Sequence, residues 1–201
     1  MNEAMLDGLR NAVRSHMDEK RYRHTLGVEK EMRYLGEALL PDKLLEASAA
    51  ALLHDITKCM SWDAQREYAL AHDLGIDADE CLAPALLHAK TGAHFAKENF
   101  ADFATDGVTD AIMRHTTAHP PLSLLSAMLF VADFTEEGRT YPDCVSLRTY
   151  LHAEPLSLER FKKVLLRALD LSLEELLREG RPIAFKTVEA RNALLTGKSL
   201  F

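Results

Sequence analysis

The chain has 201 residues, 47% of them hydrophobic and 27% charged, with a net charge of −7 at neutral pH. That length fits one domain with a substantial core, and the acidic balance disfavours non-specific nucleic-acid binding while leaving room for a small phosphorylated ligand in a local cationic pocket. Three well-separated cysteines (Cys59, Cys81, Cys144) read as reduced thiols, and neither a signal peptide nor an apolar run of about 18 residues is present, so the expectation is a soluble, cytoplasmic protein with no membrane span.

Helical periodicity prevails nearly throughout. Ala4, Met5, Leu9, Ala12, Val13 and Met17 predict a first amphipathic helix. A second runs from about Tyr22 to Leu40 and stops at Pro41. Asp42 is placed to cap a third, running from Lys43 through the run Ala51 to Lys58. Ser61 opens a fourth, which Gly75 ends. Pro84 suits the first turn of a helix carrying His88 towards Thr91-Gly92, and a further segment is expected from Thr91 to Phe103. Thr109 to Thr117 reads as helical until Pro120-Pro121, and Leu122 to Glu137 is strongly apolar before a loop marked by Gly138 and Pro142. Ser157 to Arg178, with Gly180 as its cap, and Ile183 to Leu195 complete the pattern, and the tail Thr196 to Phe201 is expected to fray. With no alternating strand pair, repeat or interior linker, the chain reads as all-α and as one domain over 1–201.

The stretch with the strongest chemical signal is Ala51-Leu52-Leu53-His54-Asp55-Ile56-Thr57-Lys58. An ionised carboxylate in apolar surroundings is costly unless a cation or hydrogen-bond donors compensate it. Histidine beside aspartate suits a divalent metal, with nitrogen from one residue and oxygen from the other. The pair can share one ion at a helix end, or the aspartate can bridge two; a buried histidine beside a capping aspartate is the plainer alternative. Asp133 is a second anomaly, ending the core-grade run Ala127-Met128-Leu129-Phe130-Val131-Ala132, with a cap or salt bridge to the loop after it as its alternative. His24, His88 and His115 each fall on the face or at the end of an expected helix.

Together these residues form the ordered series His24, His54-Asp55, His88, His115, Asp133, and here the chain resembles the HD-domain superfamily of metal-dependent phosphohydrolases. It is most similar in its local sequences to the YqeK family. The resemblance is carried by Arg21-Tyr22-Arg23-His24-Thr25-Leu26-Gly27-Val28, by the Ala51 to Lys58 run, by Leu87-His88-Ala89-Lys90-Thr91-Gly92-Ala93, by Ile112-Met113-Arg114-His115-Thr116-Thr117, and by Val131-Ala132-Asp133-Phe134-Thr135-Glu136-Glu137-Gly138-Arg139 with Leu147-Arg148. It spans roughly Leu9 to Asn192 and implies an HD-type helical bundle, with a motif core over about 21–148 and C-terminal helices over about 157–195. It also implies symmetric hydrolysis of diadenosine tetraphosphate to two ADP by a metal-bridging hydroxide. His24, His54, Asp55 and Asp133 would hold one metal, and Asp55 would bridge to a second held by His88 and His115. A departure is Ala118-His119-Pro120 after the paired threonines, where the family often has glycine next.

Such a mixed nitrogen and oxygen ligand set suits iron, manganese or cobalt better than calcium, and the resemblance favours iron. Lys58, a turn beyond the doublet, can place an ammonium over a phosphoryl oxygen, Arg139 and Arg148 can offer guanidinium forks to a polyphosphate, and Thr116 can donate a hydroxyl. Each has a surface salt-bridge or solvated alternative, and a site role is favoured most for Lys58 and Arg139. Arg21 and Lys90 are weaker candidates, His119 reads first as a loop histidine, and Trp62 as a core or groove residue able to stack on a base. His16, His72, His94 and His152 receive no role. The expected partner is a small dinucleoside polyphosphate; a homodimer stays open. A different nucleotide substrate within the same superfamily, or a metal-bound nucleotide sensor without turnover, are the rival readings.

Overall fold

The computed structural model describes residues 1–197, and these form eleven α-helices joined by short turns, with no strand among the described residues. The fraying expected at the C-terminus concerns mainly 198–201, outside the described residues. Helices α1 (Glu3–Arg14), α2 (Glu19–Leu39) and α3 (Leu44–Leu53) begin the chain. They are followed by α4 (Trp62–Ala71), α5 (Ala78–Leu82), α6 (Leu87–Asn99) and α7 (Asp106–Arg114), then α8 (Leu124–Thr135), α9 (Pro142–His152), α10 (Leu158–Arg178) and α11 (Phe185–Leu195).

The core is organised on α3. Every residue from Ala47 to Leu53 is inaccessible to solvent, as a helix apolar on all sides requires, and α1, α2, α6, α7 and α8 pack around it. Its run of alanines keeps the helix thin, so five neighbours can approach a single axis. On the far side of α8, α10 packs against α8, α9 and α11. Helix starts follow elementary capping: Asp18, Ser61, Thr105, Ser123 and Ser157 each accept a backbone N–H three residues on. Gly180 ends the run after α10 at φ 62°, the left-handed conformation glycine adopts without a Cβ clash. No helix of the described residues is long and apolar enough to cross a membrane.

Several sequence expectations are corrected. The first helix stops at Arg14, not Met17, and its buried face is Leu6, Leu9 and Val13, while Ala4 and Ala12 are exposed. Asp42 does not cap α3; it lies in a 3₁₀ turn, Pro41–Lys43, and Lys43 precedes α3 with no side-chain cap. The third helix does not continue through the central motif. It ends at Leu53 because the Ala51 carbonyl accepts from His54 Nδ1 at 2.6 Å, after which Ile56 N–H closes a tighter turn on Leu53 O at 3.1 Å. No new segment begins at Thr91: α6 runs through it, and Thr91 Oγ1 bonds back to Leu87 O at 3.2 Å and meets Thr57 Oγ1 at 2.9 Å. The fifth of these helices, with its Asp77–Glu80 capping box, and α9, which Pro142 opens at a position needing no N–H, were not foreseen by periodicity.

Since α3 carries both the core and the central doublet, truncating its buried face should loosen both. Leu52→Ala is expected to cost about 2–5 kcal/mol in urea unfolding. A loss under about 0.5 kcal/mol, the range of ordinary surface changes, would mean that α3 is not the centre of the packing.

Candidate metal centre

Five places in the chain deliver the six residues of the ordered series. His24 projects from the second turn of α2; His54 and Asp55 occupy the turn after α3; His88 is in the first turn of α6; His115 directly follows α7; Asp133 sits in the last turn of α8. They converge on the Asp55 carboxylate. Its Oδ1 lies 3.1 Å from His88 Nε2 and 3.7 Å from His115 Nε2, and its Oδ2 lies 3.3 Å from His54 Nε2 and 3.8 Å from His24 Nε2. His24 Nε2 is also 3.1 Å from Asp133 Oδ1, and the Nε2 atoms of His88 and His115 are 3.1 Å apart. Two groups whose donor atoms are close enough to surround one ion emerge: His24, His54 and Asp133, and His54, Asp55 and His115.

The imidazoles are oriented by their other nitrogens. Nδ1 of His54, His88 and His115 faces the carbonyl three residues earlier, on Ala51, Ala85 and Ile112, at 2.6, 2.6 and 2.7 Å. A carbonyl only accepts, so each Nδ1 carries the proton and each Nε2 presents a lone pair inward. The Nε2 atoms of His24 and His54 are buried and have no hydrogen-bond partner. An uncompensated buried nitrogen is costly, and a cation is the partner its lone pair suits. With two aspartates completing the set, the donors fit a divalent metal of the borderline class, and less well calcium, which prefers oxygen alone.

Charge is concentrated here. Burial alone would raise the Asp55 carboxyl, but the imidazoles around it, His54 foremost and then His115 and His88, hold it well below the usual carboxylate range. For Asp133 burial likewise opposes ionisation and is outweighed by Arg139, His24 and His54. Burial pushes His88 down to about 4, keeping it neutral as a ligand must be. His24 behaves oppositely: burial lowers it, but the carboxylates of Asp133 and Glu136 raise it to about 9, so a cation taking its Nε2 must displace a proton there. Burial also lowers the Lys58 ammonium, whose Nζ stands 3.1 Å from His88 Nδ1 and 3.4 Å from its Nε2. Arg139 bonds Asp133 twice, through Nη2 to Oδ1 at 2.5 Å and Nε to its carbonyl at 2.9 Å.

The centre is closed except at Asp133, whose side chain is 25% exposed. There a cavity of about 320 Å³ opens, lined by His115, Thr116, Phe130, Asp133, Arg139 and Tyr141, with Ser172, Glu175 and Arg181 from α10 and the turn after it. A second cavity of about 220 Å³ shares Thr116, Ser172 and Arg181 with the first and is walled by Leu82, Pro84, Leu86 and Leu176. Thr116 and Arg139 therefore stand at the metal side of one open space, while Lys58 lies outside its lining, against His88. Arg148 is placed differently: its Nη1 donates to the carbonyls of Thr135, Glu136 and Arg139 at 3.1, 2.7 and 3.2 Å, behind the loop that leads from α8 to α9. The weaker candidate Lys90 is 2.5 Å from Glu80 Oε2, on the α5 side of the fold. His119 is tied to Thr117 at 2.9 Å, and Trp62 is a half-buried residue opening α4.

Three features escaped sequence reasoning. Arg21, a weak candidate, donates to Asp55 Oδ2 at 2.6 Å; its position three residues before His24, on one helical face, was the available signal. Glu136 meets His24 Nδ1 at 3.1 Å across 112 residues, and Arg181 reaches the cavity from beyond α10; neither carries a local signal. The departure at Ala118 has a structural counterpart: it is buried at φ 51°, in the left-handed region where glycine is the unstrained residue.

The model of the HD domain matches residues 21–138. A protein of Halalkalibacterium halodurans named bis(5′-nucleosyl)-tetraphosphatase, symmetrical, is 30% identical over 187 residues, covering 91% of this chain and 93% of that protein. A protein of the same name from Bacillus subtilis is 27% identical over 190 residues, covering 92% and 95%. A crystal structure from Clostridium acetobutylicum, described as a predicted HD superfamily hydrolase involved in NAD metabolism, superposes with a TM-score of 0.84 at 27% identity, covering 96% of this chain and 97% of that one. With the family model matching more than half of the chain and a relative 30% identical over nine-tenths of it, the chain belongs to the HD domain family of hydrolases, in its YqeK branch.

Proposed function

We propose that the protein hydrolyses a dinucleoside tetraphosphate symmetrically, with diadenosine tetraphosphate as substrate and two ADP as products, at a centre of two metal ions. The observation that carries the metal part is the convergence of inward-facing imidazole lone pairs on one buried carboxylate, two of them without any partner. His24, His54, Asp55 and Asp133 would hold the first ion, and Asp55, His88 and His115 the second, with iron the first choice and manganese or cobalt close behind. Bound there, the ions would supply Lewis acidity towards the phosphoryl group and a nucleophile at neutral pH. The substrate part is supported by the names of relatives that match over nine-tenths of the chain.

The chain's own residues then have separable tasks. Lys58, beside His88, and Arg139, at the mouth, hold phosphoryl oxygens, as ammonium and guanidinium groups suit. Thr116 donates its hydroxyl from the floor shared by both cavities. Phe130 and Tyr141 give the larger cavity apolar wall on which part of a nucleoside can lie. The leaving group is a nucleoside diphosphate, whose low basicity lessens the need for a general acid, and the site has no carboxylic acid held protonated for that task. Arg148 acts through the loop it fastens, keeping Arg139 in place.

Metal analysis of protein purified without chelator should find near-stoichiometric metal, most of it lost in Asp55→Ala. Absence of metal from the wild-type protein, together with activity indifferent to added iron or manganese, would overturn the metal reading. Chromatography of products should show ADP alone from diadenosine tetraphosphate; AMP plus ATP would reject symmetric cleavage while sparing the metal claim. Faster turnover of a mononucleotide or of NAD would move the substrate elsewhere within the family, and tight binding without turnover in metal-loaded protein would favour a sensor. Lys58→Ala should keep its metal and lose roughly 10- to 100-fold in turnover, one charge-assisted contact being worth about 1.5–3 kcal/mol; unchanged turnover would return Lys58 to a surface-charge role.

A further inference from the structure

We propose that Glu136 is a positioning residue for His24, fixing which ring nitrogen of that histidine faces the metal, and that position 27 must be glycine to admit it. The inference rests on the two-metal reading above and deepens it.

His24 is the exception among the four imidazoles. His54 and His115 follow the last residues of α3 and α7, where the final carbonyls lack the usual helical N–H four residues on, and His88 uses a carbonyl that precedes α6. Each can therefore place its Nδ1 proton on the local backbone. His24 lies inside α2, where the carbonyls of the preceding turn already accept helical N–H groups. Its Nδ1 meets a side chain instead, Glu136 Oε1, at 3.1 Å. With the proton held there, the Nε2 lone pair points at Asp133 and Asp55.

Glu136 is built into this place. It is 3% exposed, its other oxygen accepts the Gly138 N–H, and its carbonyl is held by Arg148. Gly27, one turn beyond His24 on α2, lies against the same carboxylate, and a Cβ there would collide with Glu136 Oε2. The carboxylate would have to shift to admit any larger residue there. Both carboxylate oxygens have donors, one from His24 and one from Gly138. A glutamine of the same shape has one oxygen for two donors and must turn its NH₂ towards one of them, which gives the charge-neutral isostere a clear expected cost.

The test uses the full chain, stripped by chelator and retitrated with Mn²⁺, with free Mn²⁺ followed by electron paramagnetic resonance. In Glu136→Gln and in Gly27→Ala one of the two Mn²⁺ sites should weaken about 10- to 100-fold, the scale of outer-shell partners of a ligating histidine, while the other is unmoved. Saturating Mn²⁺ should restore kcat, with KM for the dinucleotide unchanged. Folded Glu136→Gln that binds both Mn²⁺ ions as tightly as the wild type would overturn the proposal and leave Glu136 as a strut of its loop; this isosteric variant decides the matter even if Gly27→Ala does not fold. Wild-type protein that binds no Mn²⁺ would instead overturn the metal reading itself, and this inference with it.

Discussion

The structure depends on keeping one ionised carboxylate, Asp55, inside an apolar fold. An isolated charge there would be prohibitive, and the chain answers it from every direction. Arg21 supplies a guanidinium from α2, His54 stands beside it in the same turn, and His88 and His115 approach the oxygens from α6 and the end of α7. The contacts of Arg21, His88 and His115 each bring a different helix to that turn, so satisfying a single side chain fixes how α2, the end of α3, α6 and α7 stand to one another.

Such a centre needs a stiff frame, and α3 provides it. Its alanine-rich surface, fully buried from Ala47 to Leu53, admits five neighbours at close range, and the helix stops where its last turn can hand a carbonyl to His54. The polar inner shell continues the same logic: Thr57 bonds the His88 carbonyl at 3.1 Å and Thr91 at 2.9 Å, joining the central turn to α6. The apolar core and the polar centre are consecutive stretches of one segment, so the helix that packs best also sets the position of the doublet.

Much of this was legible in the sequence because the ligand-type residues are anomalies where they stand. His54-Asp55 after an alanine-leucine run and Asp133 after six core residues invite a chemical explanation at once. The helices with strong periodicity and caps were equally plain. What escaped depends on contacts without local signature: Glu136 sits beside Glu137 and Arg139 in a stretch that reads as an ordinary charged loop, and only the fold shows it turned inward while Glu137 pairs with Lys30 at the surface. Arg148 looked like a phosphate ligand for the same reason, since a sequence shows that a guanidinium is present but not that three carbonyls claim it. The short α5 and the proline-led α9 carry too little periodicity to declare themselves.

The division of the centre into two halves has a further consequence. His54, His88 and His115 are set by backbone carbonyls, which no substitution at another position removes. His24 and Asp133 are instead set by side chains from the stretch 133–139, through Glu136 and Arg139. In the proposed reading that stretch holds at once a ligand of the first metal, the residue that orients another, and a cation for the substrate's phosphates. One helix end and seven residues of chain thus couple the metal side of the site to its open side, and Arg148 is the clasp that holds them in register.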